Sequence, residues 1–510
     1  MAMFLSAIWS DLTSRSISFL MQRYQERFSR LTVEERLNRL QRLLLRVRVV
    51  VEEAEERRIT NQAMLHQLSM MRKEMYRGYY TLYTLRCRTH EEAADAEHMH
   101  QVSRFFTPSQ LNSAKRVRLF GGGSSSGEQE QLQQVLGRLE TAIEDASELV
   151  VFLSGCPRLY RQPYSMYLVL DKCMFGRQTE MERVVGFLLQ PDAPGDENPG
   201  VLPIIGPRKV GKSTLLEQAC NDERVRDHFS EILFLNGINL RSENMVTIGD
   251  AVIKYQNPAS HGERVLVIVE LDGDRFSKRL DDENIDEGLW RRLYSPYIHH
   301  IPRGSKIIVT SRSDKIVSFG TTPPLRLQFL DRDAFWYFFK VRLFGSTDAT
   351  EHPKLASIAM DMAMELNGCF LNANMFSELL RSNVDARFWS VALTILRELK
   401  QKNLFGGAHQ VDIWEVAEPV YVPRVNKSSE DFVILDDYET SSADHGGGVA
   451  TTTMTVQEVL LGTARPRGKF DVLAWRSPIP PHFSYFFGCE IRRRPRHVVA
   501  GKKRIQKIGS

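Results

Sequence analysis

A chain of 510 residues exceeds one ordinary domain and implies roughly two to four of them. With 42% hydrophobic and 25% charged residues it is composed like a folded globular protein, which excludes a wholly disordered chain. A formal net charge of +4 is too small to make nucleic acid a bulk partner.

The first 26 residues are apolar, but Asp11 and Arg15 interrupt them, no basic stretch precedes them, and no run approaches ~18 apolar residues. An amphipathic helix is expected here rather than a signal peptide or membrane span. Thr32 and Glu35 form a capping-box pattern ahead of Leu37, Leu40, Leu44, Val47, Val51 and Ala54, which recur at spacings of three and four. The repeat fades too soon for a long rod, so a short antiparallel helical bundle of coiled-coil type is expected over residues 1–115. A further helix through Met64–Arg88 carries Met70, Met71, Met75 and Tyr79, a stripe expected in its core. Residues 116–170 hold the Gly/Ser spacer around Gly121–Gly127, an amphipathic helix over 128–153 and a connector.

From about residue 171 short apolar strands alternate with helices, which predicts a three-layer α/β domain with a parallel sheet over 171–345. Strands are expected at Leu202–Ile205, Glu231–Leu235, Arg264–Glu270, Ser305–Thr310 and Leu325–Phe329, with helices starting at Lys212, near Glu243, near Asp286 and at Asp331. Residues 346–405 read as a helical subdomain, and 406–453 as loop-rich or disordered. A small unit is expected over 454–491, where the aromatic run Phe470–Phe487 makes a core more readily than a docking surface. The tail, 492–510, is basic through Arg492, Arg493, Arg494, Arg496, Lys502, Lys503, Arg504 and Lys507. It suits a nuclear-import signal, a membrane or RNA contact, or a solvated terminus. No fixed-period repeat is found, and in particular no leucine-rich repeat. The six cysteines are scattered without C-x-x-C pairs or zinc spacing, which fits a reducing, cytoplasmic setting.

Gly206-Pro-Arg-Lys-Val-Gly-Lys-Ser213 satisfies the phosphate-loop pattern G-x-x-x-x-G-K-[ST] between a buried strand and a helix. Such a loop turns its amides inward as an anion nest, against the positive end of the helix that follows. Gly206, Pro207, Arg208, Lys209 and Val210 shape the loop. Gly211 lets the backbone approach a β-phosphate, Lys212 reaches the β and γ oxygens, and Ser213, backed by Thr214, offers a hydroxyl to Mg²⁺. Val265-Leu-Val-Ile-Val-Glu270 has the form of a strand delivering a metal-binding acid, Glu270, with Asp272 the second candidate. Arg312, at the tip of Ile307-Ile-Val-Thr-Ser, is placed to sense a γ-phosphate.

In this order the motifs resemble the NB-ARC region of plant NLR disease-resistance proteins with a coiled-coil N-terminus, over roughly residues 1–400. Phe175-Gly-Arg-Gln-Thr-Glu180 is similar to the G-R-x-x-E segment, which implies that Phe175, Gly176 and Arg177 lie close to adenine and ribose. Gly304–Arg312 is close to G-S-x-I-I-x-T-T-R, and Leu325 to Phe339 resembles the strand and aromatic helix that follow. Met75-Tyr-Arg-Gly-Tyr-Tyr80 looks like a grass branch of the family. The resemblance implies bound ADP or ATP with Mg²⁺, and partnership with other proteins through the N-terminal helices, either a full-length NLR or a second copy.

The departures bear on mechanism. Arg208 and Lys209 replace two glycines of the family loop, and Leu271 stands where a second acid usually follows the first. Gly368-Cys-Phe-Leu371 lacks the proline of G-L-P-L, no M-H-D triplet is found, and the acidic E-D-V-I-D patch is replaced around Tyr79–Arg88 by uncharged and basic residues. These imply a nucleotide-dependent switch or helper that binds but hydrolyses little. A turning-over P-loop ATPase of another kind and a nucleotide-free coiled-coil scaffold are the alternatives.

Overall fold

The computed structural model describes residues 34–102, 125–158, 174–191, 198–236, 252–256, 264–271, 302–404, 419–424, 427–440, 454–479 and 482–493. Asp272, the helices expected near Glu243 and Asp286, and most of the basic tail lie outside them. In chain order the helices are α1 (34–55), α2 (Gln62–Val102), α3 (Ser125–Ser154), α4 (Gln178–Leu189), α5 (Lys212–Cys220), α6 (Glu223–His228), α7 (Arg332–Phe344), α8 (Pro353–Leu366), α9 (Phe370–Arg381), α10 (Ala386–Leu404) and α11 (Val456–Leu461). The strands are β1 (Gly200–Ile205), β2 (Glu231–Asn236), β3 (Val252–Gln256), β4 (Val265–Glu270), β5 (Lys306–Ser311), β6 (Leu325–Arg326), β7 (Val420–Arg424), β8 (Lys427–Thr440), β9 (Lys469–Arg476) and β10 (Ser484–Arg493). The chain divides into two compact units, one of residues 1–191, 222–225 and 327–368, the other of 192–221, 226–326 and 369–510. No helix among the described residues is long and apolar enough to cross a membrane.

In the first unit, α1 buries every residue of its predicted seam, from Leu37 to Ala54. Met71 and Met75 of α2 are buried as well, and Leu132, Leu136, Leu139 and Leu149 of α3 are buried at the matching helical spacing. Met70 is instead 56% exposed, which corrects the expected stripe. Residues 71, 75 and 79 repeat at four, whereas 70 sits about 100° round the helix from 71. At Gly78 the helices touch, for a Cβ there would meet Leu44 Cδ2 at 2.7 Å and Leu139 Cδ1 at 3.1 Å.

A polar cluster joins three helices of this unit. Arg72 Nε of α2 lies 2.8 Å from Glu55 Oε1 of α1, both buried, and Gln178 of α4 bonds to each of them. Helix α7 is capped by Asp331, which accepts from the Ala334 amide at 3.1 Å. Its Phe335–Phe339 run is buried throughout, as befits a helix apolar on every side, and within the unit its rings pack on Tyr76 (4.9 Å from Tyr337) and Tyr83 (5.7 Å from Trp336).

In the second unit a six-stranded sheet runs in the order β3-β2-β4-β5-β1-β6. All neighbours are parallel except β3, an antiparallel edge that the sequence pattern did not announce, since Lys254 and Gln256 interrupt its apolar residues. The strands β1, β4 and β5 are near-continuous Val/Ile/Leu runs, the composition of a sheet buried on both faces. The strand expected over Leu325–Phe329 pairs only at Leu325 and Arg326. This suits Pro203 in β1, because β6 begins pairing at Ile204 and no amide is demanded of Pro203 on that side.

The remainder of this unit corrects the expectation of loop over 406–453. Residues 427–440 form β8, a 14-residue strand in an antiparallel sheet of order β7-β8-β10-β9. Its buried Phe432, Val433 and Ile434 are short, and the flanking Ser, Glu and Asp hid them from a composition argument. The partner is some 55 residues away, and a cross-strand pairing so distant leaves no local signature. Arg492 and Arg493 belong to β10, not to a free tail, and they face Asp431 and Glu430 across the ladder. Val472, Phe486, Phe487 and Cys489 are buried, so the aromatic run is core, as expected.

Candidate nucleotide-binding site

The site forms where β1 leaves the sheet. The Gly206 amide still donates to Ser311 O at 3.2 Å, fixing the start of the loop against β5. The chain then turns through two left-handed positions, Lys209 (φ 59°) and Gly211 (φ 98°), and enters α5 at Lys212. The turn aims the first amides of α5, and the positive end of its dipole, into the concavity the loop makes. Val210 is buried and pins the loop from behind. Lys212 is only 6% exposed, and its ammonium donates to Gly206 O at 2.8 Å and Pro207 O at 3.1 Å. Both acceptors are neutral carbonyls, which phosphate oxygens outcompete. Ser213 and Thr214 sit half-buried in the first turn of α5.

Sheet order brings the other candidates to the same edge. One strand, β5, separates β1 from β4, so β1, β5 and β4 end side by side. Glu270 closes β4 in register with Thr310, and the exposed Arg312 follows β5 directly. The loop, Glu270 and Arg312 thus share the carboxyl edge of a parallel sheet, where ligands of such folds bind. The Ser213 hydroxyl and the Glu270 carboxylate are oxygen donors of the kind Mg²⁺ takes. Phe175, Gly176 and Arg177 belong to the other unit. There the Phe175 ring packs on Phe338 at 5.3 Å and Tyr76 at 5.5 Å, while Arg177 bonds Glu180 at 3.0 Å and the carbonyl of Gln328. Sequence reasoning missed Ser311, whose carbonyl anchors the loop, although it lies one residue before Arg312 in the motif.

Side-chain alternation at the end of β4 separates Glu270 from Leu271. The Leu271 amide continues the ladder to Thr310 O at 2.9 Å, and its side chain, 5% exposed, joins a buried cluster with Val267, Val269, Val309 and Ile316. Leu271 is therefore a piece of hydrophobic core. Lys209 has a different cost. It holds a conformation glycine adopts freely, and its Cβ makes that conformation unfavourable by about 1–2 kcal/mol. Lys209→Gly is expected to raise the melting temperature slightly, the relief partly offset by about 0.5–1 kcal/mol of glycine's unfolded-state entropy. Scanning calorimetry with both variants in the same buffer checks the sign.

A parallel sheet with a glycine-turned loop between a central strand and its helix, a buried lysine and an acid two strands away defines a P-loop nucleotide-binding domain. Residues 177–349 match the NB-ARC domain family, and the chain is similar to plant disease-resistance proteins. It is 24% identical to the disease resistance protein RGA2 of Solanum bulbocastanum over 51% of this chain and 27% of that protein. It is 25% identical to an RPP13-like protein 1 of Arabidopsis thaliana, also named for disease resistance, over 77% of this chain and 37% of that protein. The chain thus spans between about a quarter and two fifths of the length of these relatives. Among solved structures, the Walker-type ATPase PABY2304 of Pyrococcus abyssi aligns with 46% of this chain and 75% of its own at 16% identity, with a TM-score of 0.29, too low to carry an argument.

Proposed function

We propose that this chain is an ADP- or ATP-binding signalling protein of the plant NLR type, which holds nucleotide as a switch or helper and turns it over slowly if at all. The observation that carries this reading is the pairing of a complete phosphate loop with an apolar second position. Lys212, Ser213 and the amides of α5 supply what phosphate binding needs. Leu271 packs in the core where a carboxylate that orients water would have to stand. Glu270 and Ser213 are the proposed ligands of Mg²⁺, and Arg312 the sensor of the terminal phosphate. Phe175–Arg177 are proposed to approach the base and ribose. The proposed partners are other proteins met through the N-terminal helices, either a longer NLR or a second copy, and the proposed setting is the cytoplasm, with the nucleus reached through the basic tail.

The test is extraction of purified protein with acid, followed by chromatography of the released nucleotide. Near one equivalent of ADP or ATP is expected, together with a steady hydrolysis rate well below the ~1–10³ per second of typical enzymes. Well-folded protein that carries and takes up no nucleotide would defeat the reading. A rate inside that range would instead favour a working ATPase.

A further inference from the structure

In the first unit α1, the middle of α2 and the end of α7 enclose a cleft of about 1180 Å³. It is made of this unit's residues alone and contains no part of the phosphate loop. Its walls are basic. Arg36, Arg39, Arg42 and Arg48 line it from α1, with Lys340 from α7 opposite. The lining carboxylates are Glu35 and Asp348, and Asp348 is already engaged, accepting from the Thr350 amide at 2.9 Å and the Tyr83 hydroxyl at 3.4 Å.

Lys340 is the telling residue. Its ammonium lies 4.3 Å from the centre of the Tyr79 ring, 4.8 Å from Tyr337 and 5.2 Å from Tyr83, all three on the cleft wall. Ring faces attract a cation but do not neutralise it. No ion pair reaches Lys340 among the described residues. Burial, and after it the neighbouring Arg48, push its pKa down to about 7 against the pull of Asp348 and Glu52. Arg48 bonds Glu52 at 2.8 Å and faces the same space. A partly desolvated cation that makes no ion pair among the described residues, beside a second cation and in front of open volume, is a place that favours added negative charge.

We propose that this cleft binds a small multivalent anion, a phosphorylated or polycarboxylate compound, with Lys340 and Arg48 receiving its charged groups and the tyrosine rings packing its apolar or planar part. The volume lies just above the ~300–1,000 Å³ typical of small-molecule sites, enough for a ligand with several charged groups. A small ligand is favoured over an acidic protein surface by depth. Such a surface would meet the exposed Arg39 and Arg42 first, whereas Lys340 is half-buried against three tyrosine rings. The two arginines raise the local concentration of anions at the mouth.

The probe is inorganic tripolyphosphate, titrated calorimetrically into the full chain at low ionic strength. Because the phosphate loop also attracts polyphosphate, wild type is compared with Lys212→Ala, Lys340→Met and the rim variant Arg36→Ala/Arg42→Ala. The expected result is saturable binding that survives in Lys212→Ala and falls with added salt. It is expected to weaken about tenfold or more in Lys340→Met, with a smaller loss in the rim variant. No saturable binding in Lys212→Ala overturns the proposal, as does an affinity that neither the Lys340 nor the rim substitution changes. If Lys340→Met fails to fold, the exposed rim variant decides alone. Binding of a poly-glutamate peptide without binding of tripolyphosphate also overturns it, in favour of an acidic protein partner. Loss of nucleotide from Lys212→Ala leaves these outcomes unaffected, so the two sites fail or stand separately.

Discussion

Lys212→Ala is expected to emerge from purification folded and empty, with nucleotide affinity down by at least ~100-fold. A charge-assisted contact to phosphate is about twice as strong as a neutral one, and in a buried loop its loss amounts to about 3 kcal/mol or more. The fold should tolerate the change, because the two hydrogen bonds it removes go to carbonyls of the same loop, Gly206 O and Pro207 O. The measurement is nucleotide content after acid extraction, paired with a melting curve in the presence and absence of Mg-ADP. Wild type should gain stability with ligand as binding to the native state requires, and Lys212→Ala should gain none. Retention of a full equivalent by the variant would remove the phosphate loop from the account of this protein.

The same loop shows how far a sequence argument reaches. The phosphate-binding segment was legible because its chemistry is local, with glycine, lysine and hydroxyl at fixed spacing between a buried strand and a helix. The seam of α1 was legible for the same reason, since Leu37 to Ala54 write a helical period that only burial explains. Two features were not. That Lys209 keeps the left-handed turn of the glycine it replaces depends on the surrounding loop overriding a local preference. That Leu271 lies in the core, rather than being merely a missing acid, depends on the strand's face, and a face is known only once the sheet is assembled. Strand β8 was misread for a third reason. Its ten paired residues with β10 come from far along the chain, and that register exists only once the ladder is assembled. Lys340 had the least sequence signal of all. A single lysine in an aromatic helix reads as a solvated charge until three tyrosines from two helices are found around it.

Arg72→Ala is expected to destabilise the first unit by about 3–5 kcal/mol, the usual cost of breaking a buried ion pair from one side. Glu55 and Arg72 are both buried, and their 2.8 Å contact, closed by Gln178, ties α1 and α2 to the start of α4. Removing the guanidinium leaves a carboxylate without its counter-charge inside the unit. Burial already holds the Glu55 pKa above its ordinary value, and Arg72 is the first influence opposing that rise. Without Arg72 the rise grows. A carboxyl whose folded pKa exceeds its unfolded one binds an extra proton in the folded state, so stability falls as pH climbs through that window. The deficit of Arg72→Ala should therefore be larger at pH 8 than at pH 5, read as the difference in melting temperature from wild type at each pH. The double variant Glu55→Gln/Arg72→Met distinguishes charge from packing. It removes both charges while keeping most of the volume, and should recover the greater part of the loss and flatten the pH dependence. A double variant as unstable as the single one, with no pH dependence in either, would mean that the arginine contributes by filling space between α1 and α2, and that its charge contributes nothing to holding α4 in place.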